Sequence, residues 1–113
     1  MSDASSVTIF DIVADPTRRR ILELLCEGDL VAGAIGVEFA LSQPAVSKHL
    51  RVLRESGVVS SHVVGQRRLY RLEPEGLREL DEWVDARRAA WKKRHRGLAS
   101  EGSGSGRRKR SRS

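Results

Sequence analysis

Apolar residues recur at intervals of three and four through the first half of the chain, which is the spacing of one buried face of an α-helix. In the clearest case Val46, Leu50 and Leu53 form such a face, with Ser42 suited to cap the start of the helix and Gly57 suited to end it. The pattern predicts four successive helices. They are expected within residues 5–15, 15–28, 30–40 and 42–57.

The pattern changes after residue 57. In "VVSSHVVGQRRLYRL", β-branched and aromatic residues flank a Gly65–Gln66 turn, which predicts a two-stranded β-hairpin. After Pro74 the helical spacing returns and predicts a long last helix over about residues 75–96. The expected fold is therefore mostly α with a small β-hairpin, in the order α-α-α-α-β-β-α. Winged helix–turn–helix proteins are built in this way, and their second motif helix enters the major groove of DNA.

Composition sets the limits of the folded part. The chain has 113 residues and an apolar fraction of 39%, which suffices for one small core. We expect a folded domain over residues 6–96, between a flexible N-terminus at residues 1–5 and a disordered basic Gly/Ser/Arg tail at residues 97–113. A single cysteine, no secretory signal and no apolar run of the roughly 20 residues that span a bilayer indicate a cytoplasmic protein without a membrane partner.

The net charge of +6 is unevenly distributed along the chain. Residues 1–41 carry three Arg against seven acidic residues, whereas residues 42–72 carry six Lys or Arg against Glu55 alone, a net +5. A second basic zone, residues 99–113, has a net charge of +4. The concentration of positive charge on the fourth helix and the hairpin indicates a polyanionic partner.

The fourth predicted helix carries charged and hydrogen-bonding side chains between its apolar positions. The major groove of DNA admits one α-helix. From such a helix, Gln43 can form two hydrogen bonds with the edge of an adenine. The hairpin tip would lie along the DNA backbone or in the minor groove, where its cations act mainly through counterion release. The residues expected to bind double-stranded DNA are Ser42, Gln43, Ser47, Lys48, His49, Arg51, Arg54, Gly65, Gln66, Arg67 and Arg68.

Other classes of protein fit this pattern less well. An ordinary solvated helix face explains any single one of these residues, but not the capped helix, the buried triplet and the basic hairpin together. An enzyme is not expected, because the sequence has no phosphate-binding loop, no nucleophile with a matching base and no paired carboxylates in an apolar setting. Two alternatives stay open: a nucleoid-type protein that binds DNA without sequence preference, and a winged-helix module for protein interaction.

Three segments of the chain, "ADPTRRRILELL", "LSQPAVSKHLRVLRESGVV" and "GQRRLYRLEPEGLRELDEW", resemble the ArsR/SmtB family of bacterial winged-helix repressors. The resemblance runs from about Ile9 to Arg96 and implies a homodimeric transcriptional regulator that binds a palindromic operator, with its first and last helices at the dimer interface. The apolar stripe of the last helix supports a second subunit, because the small body cannot cover it. The expected interface residues are Ile9, Ile12, Leu77, Leu80, Trp83, Val84 and Trp91.

Many members of the family that the chain resembles release DNA when they bind a metal, but this sequence does not match their ligands. The positions that correspond to a Cys-x-Cys pair hold Val31 and Gly33, and the Asp-x-His start of a second site type is replaced by Asp81 followed by Glu and Trp. We therefore expect no metal and no cofactor. Cys26 is expected to be a small buried apolar group rather than a thiol switch, and the sequence does not identify an inducer.

Overall fold

A computed structural model describes residues 7–96 of the chain. The fold is mostly helical with a small antiparallel sheet, as the sequence predicts. The expectations for the N-terminal segment and the basic tail fall on residues 1–5 and 97–113, outside the described residues. The elements are α1 (Ile9–Val13), α2 (Pro16–Leu25), β1 (Leu30–Val31), α3 (Ala32–Phe39), α4 (Gln43–Ser56), β2 (Val59–Val64), β3 (Arg67–Leu72), a 3-10 helix (Pro74–Leu77) and α5 (Arg78–Arg94).

Side-chain caps determine where the first two helices begin. The Thr8 hydroxyl accepts from the backbone N–H of Asp11 at 3.4 Å, and the Asp11 carboxylate accepts from the backbone N–H of Thr8 at 2.9 Å. The Asp15 carboxylate accepts from the backbone N–H of Arg18 at 2.9 Å, next to Pro16, whose missing N–H costs nothing at this position. These bonds satisfy N–H groups that a helix start otherwise leaves without partners, so they favour the observed starting points.

A tight turn joins α3 to α4. Residue Ala40 ends α3 in the left-handed region at φ 54°, and the Ser42 hydroxyl then caps α4 by accepting from the backbone N–H of Ala45 at 3.3 Å. At the other end, Gly57 closes α4 at φ 88°, a conformation that costs a non-glycine residue about 1–2 kcal/mol. Both predicted ends of α4 are therefore confirmed.

The sheet has three strands in the order β1-β3-β2, all antiparallel, where the sequence predicts only the hairpin. Strands β2 and β3 pair from Val59 with Leu72 to Val64 with Arg67, around a two-residue turn in which Gly65 has φ 65°. The third strand is the short β1, in which Leu30 pairs with Tyr70 and Val31 with Leu69. Residues 30–31 were expected in a helix, but the outer edge of β3 offers them backbone partners, so α3 begins two residues later.

The core contains apolar side chains from the four helices α1 to α4, from Val58 and from the first residue of β2, Val59. The predicted buried face of α4 is confirmed, but two other expectations are corrected. Ile9 and Ile12 are 2% and 0% exposed, so they fill the core of the subunit and leave no surface for a partner. Cys26 is exposed, because α2 ends at Leu25 and its C-cap residue lies beyond the buried face. The core residues are Ile9, Ile12, Ile21, Leu22, Leu25, Ile35, Val46, Leu50, Leu53, Val58 and Val59.

The last helical region begins as a 3-10 helix and continues as α5 from Arg78. Leu77 and Leu80 are partly buried against the core, and the chain divides into two compact units directly after Leu80. In the second unit Arg87 lies over the Trp83 ring at 5.1 Å. Among residues 7–96, no helix combines the length and the apolar character needed to cross a bilayer.

Candidate nucleic-acid interface

Helix α4 has one buried and one exposed face. Val46, Leu50 and Leu53 are at most 2% exposed and anchor the helix in the core. This anchoring leaves the polar side chains on the opposite side, where they are exposed to solvent. The exposed positions of α4 and its cap that the sequence predicts to bind DNA are Ser42, Gln43, Ser47, Lys48, Arg51 and Arg54.

The exposed side chains follow the helix from its N-terminus towards its C-terminus. Gln43, Ser47 and Arg51 are spaced four residues apart, so they lie on one side of α4, and Arg54 continues that side. The helix N-terminus contributes mainly its dipole, because Pro44 has no N–H and the N–H of Ala45 is donated to Ser42. The resulting surface has an amide and a hydroxyl near the helix start and guanidinium groups towards the end.

His49 differs from the other predicted DNA-binding residues, because it is half-buried. Its Nδ1 is buried, and within residues 7–96 neither this atom nor the buried Nε of Arg18 has a hydrogen-bond partner. Burial lowers the pKa of His49 below its usual value, and the positive charge of Arg18 lowers it further, while Asp15 opposes the shift. The ring therefore favours its neutral form and lies near Arg18 and Asp15 at the start of α2.

The hairpin of β2 and β3 forms a wing with an exposed cationic tip. Gly65, Gln66, Arg67 and Arg68 are all exposed. A glycine at the first position of a two-residue turn matches the type II′ turn, whose twist suits the flanking strands. Arg68 donates from Nη1 to the Ser61 hydroxyl at 3.1 Å, so its side chain is held along the hairpin.

The sequence pattern did not predict a cluster of charged side chains and a histidine at the base of the wing. The Arg71 guanidinium donates to both carboxylate oxygens of Asp29, from Nε at 3.1 and 3.3 Å and from Nη2 at 2.9 Å, and His62 Nε2 lies 3.6 Å from the same carboxylate. The Arg71 hydrogen bonds hold the pKa of Asp29 below its usual value. The cluster ties the segment before β1 to both strands of the wing. Local spacing gave no signal for it, because Asp29 and Arg71 are 42 residues apart.

The basic residues of the segment 42–72 form the surface that can bind a polyanion. Of the six basic residues in the +5 segment, Arg71 is paired with Asp29 at the base of the wing. The other five lie on the exposed side of α4 and at the wing tip, where cations can neutralise phosphates and the polar start of the helix can meet base edges. They are Lys48, Arg51, Arg54, Arg67 and Arg68.

Within the described range 7–96, no three or more His, Cys, Asp or Glu side chains come together in a group that could hold a metal ion. Val31 lies in β1, and Gly33 lies in the first turn of α3.

A helix–turn–helix followed by a hairpin wing, with a cationic polar face on its second helix, defines the winged helix–turn–helix class of DNA-binding proteins. The model for "bacterial regulatory protein, arsR family" matches residues 15–61. The chain is 41% identical to the transcriptional repressor SdpR of Bacillus subtilis (strain 168), over 67% of this chain and 84% of that protein. The chain belongs to the ArsR family of bacterial regulatory proteins, which confirms the resemblance seen in its motifs.

Other relatives and solved structures agree with this family. The chain is 44% identical to the HTH-type transcriptional regulator Rv2034 of Mycobacterium tuberculosis (strain ATCC 25618 / H37Rv), over 65% of this chain and 68% of that protein. An ArsR-like transcriptional regulator from Rhodococcus sp. RHA1 has a TM-score of 0.71 and 28% identity, covering 86% of this chain and 92% of the other. These relatives are regulators rather than enzymes, and this chain is a DNA-binding transcriptional regulator.

Proposed function

We propose that the chain is a homodimeric repressor that binds a palindromic operator. In each subunit α4 enters the major groove, and the wing contacts the adjacent backbone or minor groove. The observation that carries the proposal is the exposed polar side of α4 above a fully buried apolar side. The proposed DNA-binding residues are Ser42, Gln43, Ser47, Lys48, Arg51, Arg54, Gly65, Gln66, Arg67 and Arg68.

The positions of these residues suggest a division of roles. Gln43 lies in the first turn of α4, the part of a recognition helix that contacts base edges, and its carboxamide can both donate to and accept from adenine. Arg51 and Arg54 lie two to three turns further on, and Arg67 lies at the wing tip, so these cations are assigned to phosphates. His49 is assigned a positioning role, because its ring is half-buried and feels the charges of Arg18 and Asp15 at the start of α2.

The dimer is supported by the exposed aromatic surface of α5. Trp83 and Trp91 are 49% and 50% exposed, although tryptophan is a residue that proteins usually bury. Val84, on the same helix, is half-buried. An exposed apolar patch that includes large side chains such as the two tryptophans marks an interaction site. With Ile9 and Ile12 assigned to the core, the interface is proposed on α5. A two-fold dimer places two copies of α4 on DNA that has matching two-fold symmetry.

The test is to sequence the DNA fragments that the purified protein retains from fragmented genomic DNA, and to footprint the most enriched one. We expect a single protected site that contains an inverted repeat, with half-site centres about 10 base pairs or a multiple apart. A promoter next to the site would agree with repression. Uniform coverage of all fragments would instead support a nucleoid-type protein, and no retention above that of scrambled DNA would contradict DNA recognition by α4.

A further inference from the structure

A cleft of about 210 Å³ lies between α3 and the first turns of α4. It opens to solvent next to Val37, which is 84% exposed and is therefore an apolar side chain that the subunit leaves uncovered. The side chains that line the cleft are apolar with one exception, the carboxamide of Gln43, and none of them is charged. The lining residues are Ala32, Gly33, Gly36, Val37, Leu41, Gln43 and Val46.

Two glycines of α3 shape this cleft in different ways. A Cβ atom at Gly36 would lie 3.3 Å from the Leu41 carbonyl oxygen and 3.4 Å from Val46 Cγ2, so the glycine permits a close approach of α3 to α4. A Cβ atom at Gly33, which also lines the cleft, would meet no atom within 4 Å, so a side chain there would extend into open space. Each glycine costs a helix about 1 kcal/mol relative to alanine, and α3 has only eight residues. Packing accounts for Gly36 but not for Gly33.

We propose that this cleft binds a small, uncharged, mainly apolar molecule that carries one hydrogen-bonding group. The apolar lining favours burial of a hydrocarbon body, and Gln43 supplies a partner for the polar group. A charged ligand is disfavoured, because no lining side chain offers it an opposite charge. For size, a dry cavity of about 150 Å³ takes up benzene, so 210 Å³ suits a substituted single ring.

The cleft is coupled to DNA binding through Gln43, and this part of the inference rests on the proposed function. A bound molecule that holds the Gln43 carboxamide removes it from base contact, so ligand and DNA compete for one side chain. The coupling is reciprocal, so DNA weakens ligand binding by the same factor by which the ligand weakens DNA binding. The cleft would then be the site through which a small molecule releases the regulator from DNA.

Binding is tested first on the DNA-free protein, with p-cresol as the probe and amide chemical shifts of the ¹⁵N-labelled full chain as the readout. We expect saturable shifts confined to α3 and the first turns of α4, with a Kd on the order of 0.1–1 mM for a ligand of this size. Benzoate has the same ring with a charge and is expected to bind at least about ten-fold more weakly. Absence of saturable shifts at these residues, or tighter binding of benzoate, overturns the proposed site.

Two variants of α3 distinguish the effect of filling the cleft from the effect of adding a leucine side chain elsewhere on the helix. Gly33→Leu places a side chain in the open space, whereas Ala34→Leu adds the same group at an exposed position that does not line the cleft. We expect Gly33→Leu to abolish the p-cresol shifts and Ala34→Leu to retain them, with the far-ultraviolet circular dichroism of both unchanged. Equal shifts in both variants would contradict binding in the cleft.

The coupling is measured with the operator fragment obtained from genomic DNA. Saturating p-cresol is expected to weaken DNA binding on the order of ten-fold in the wild type and in Ala34→Leu, and to have no effect on Gly33→Leu. Probe shifts without a change in DNA affinity would overturn the effector role. If the protein bound no DNA at all, the proposed function would fail, while the shifts on the free protein would still test the cleft.

Discussion

At the scale of single residues, Gln43 and Arg67 offer two different kinds of contact. Gln43 is exposed in the first turn of α4 and can form two directed hydrogen bonds to one base, while Arg67 is exposed at the wing tip and offers charge. Directed bonds distinguish sequences, whereas charge attracts every phosphate equally. The two residues therefore separate sequence preference from overall affinity.

We predict that Gln43→Ala relaxes the preference at one base pair of each half-site by about 1–3 kcal/mol. Arg67→Ala should weaken binding to all sequences by the same factor. It should also lower the slope of log affinity against log salt concentration by about 1 per subunit, because one phosphate contact is lost. Titrations of operator and single-base variants at several salt concentrations measure both effects. Arg78→Ala is the control, because Arg78 forms an exposed pair with Glu75 outside the proposed interface. An unchanged base preference in Gln43→Ala would mean that another residue reads the base.

His49 gives a second prediction at the residue scale. Its pKa is lowered in the folded protein, first by burial and then by Arg18, so the unfolded chain takes up a proton at a pH where the folded chain does not. Stability from this residue is therefore present above the unfolded pKa of about 6.5 and is lost as the pH falls below that value.

We predict that the urea midpoint of the wild type falls between pH 7.5 and pH 5, and that His49→Gln reduces this fall by removing the titrating ring. The variant His62→Gln is the control, because it removes a histidine that lies on β2 beside Asp29 rather than beside Arg18. The measurement is urea unfolding followed by circular dichroism at several pH values. The same pH dependence in wild type and His49→Gln would show that other groups cause the loss.

At the scale of elements, the 3-10 helix packs very closely on the end of α4. A Cβ atom at Gly76 would lie 2.6 Å from the carbonyl oxygen of Gly57 and 2.7 Å from the backbone nitrogen of Val58. Real Cβ atoms do not approach backbone atoms so closely, and a backbone cannot move aside as a flexible side chain can. Only glycine at position 76 therefore permits this approach of the two segments.

We predict that Gly76→Ala lowers the free energy of unfolding by about 1–3 kcal/mol, the usual cost of an overpacked site. The matched control is Gly33→Ala, because the added methyl meets no atom within 4 Å and alanine favours the helix by up to about 1 kcal/mol. Chemical denaturation of both variants measures the difference. Equal stability of Gly76→Ala and wild type would show that the 3-10 helix can shift without cost.

Elements with local signals were predictable from the sequence, and those that depend on distant partners were not. Ser42 and Gly57 mark the ends of α4, and Gly65 marks the wing turn, because caps and turns are determined by neighbouring residues. The strand β1 has two residues and exists through pairing with β3, about 40 residues away, so no periodicity could indicate it. The exposed polar side of α4 followed directly from its buried side, whereas the half-burial of His49, near Arg18 and Asp15, depends on residues more than 30 positions away.

At the scale of the whole molecule, recognition of a palindrome requires two subunits. One α4 covers a single half-site, and joining two of them makes the second contact effectively intramolecular, which raises affinity without any new contact. The surface proposed for this joining is the aromatic side of α5, where Trp91 stacks on His95 with ring centroids 4.3 Å apart. Truncating a tryptophan at the centre of an interface typically costs at least 2 kcal/mol, about thirty-fold in Kd.

We predict that the double variant Trp83→Ala/Trp91→Ala sediments as a monomer at micromolar concentrations at which the wild type is a dimer. Because it has lost the link between half-sites, it should bind a full operator no more tightly than an isolated half-site, whereas the wild type should prefer the full operator strongly. The variant Trp83→Phe/Trp91→Phe keeps aromatic area on α5 and is expected to remain dimeric. If the alanine variant stays dimeric, the subunits meet on another surface; if the wild type is itself monomeric on the full operator, recognition does not require two subunits.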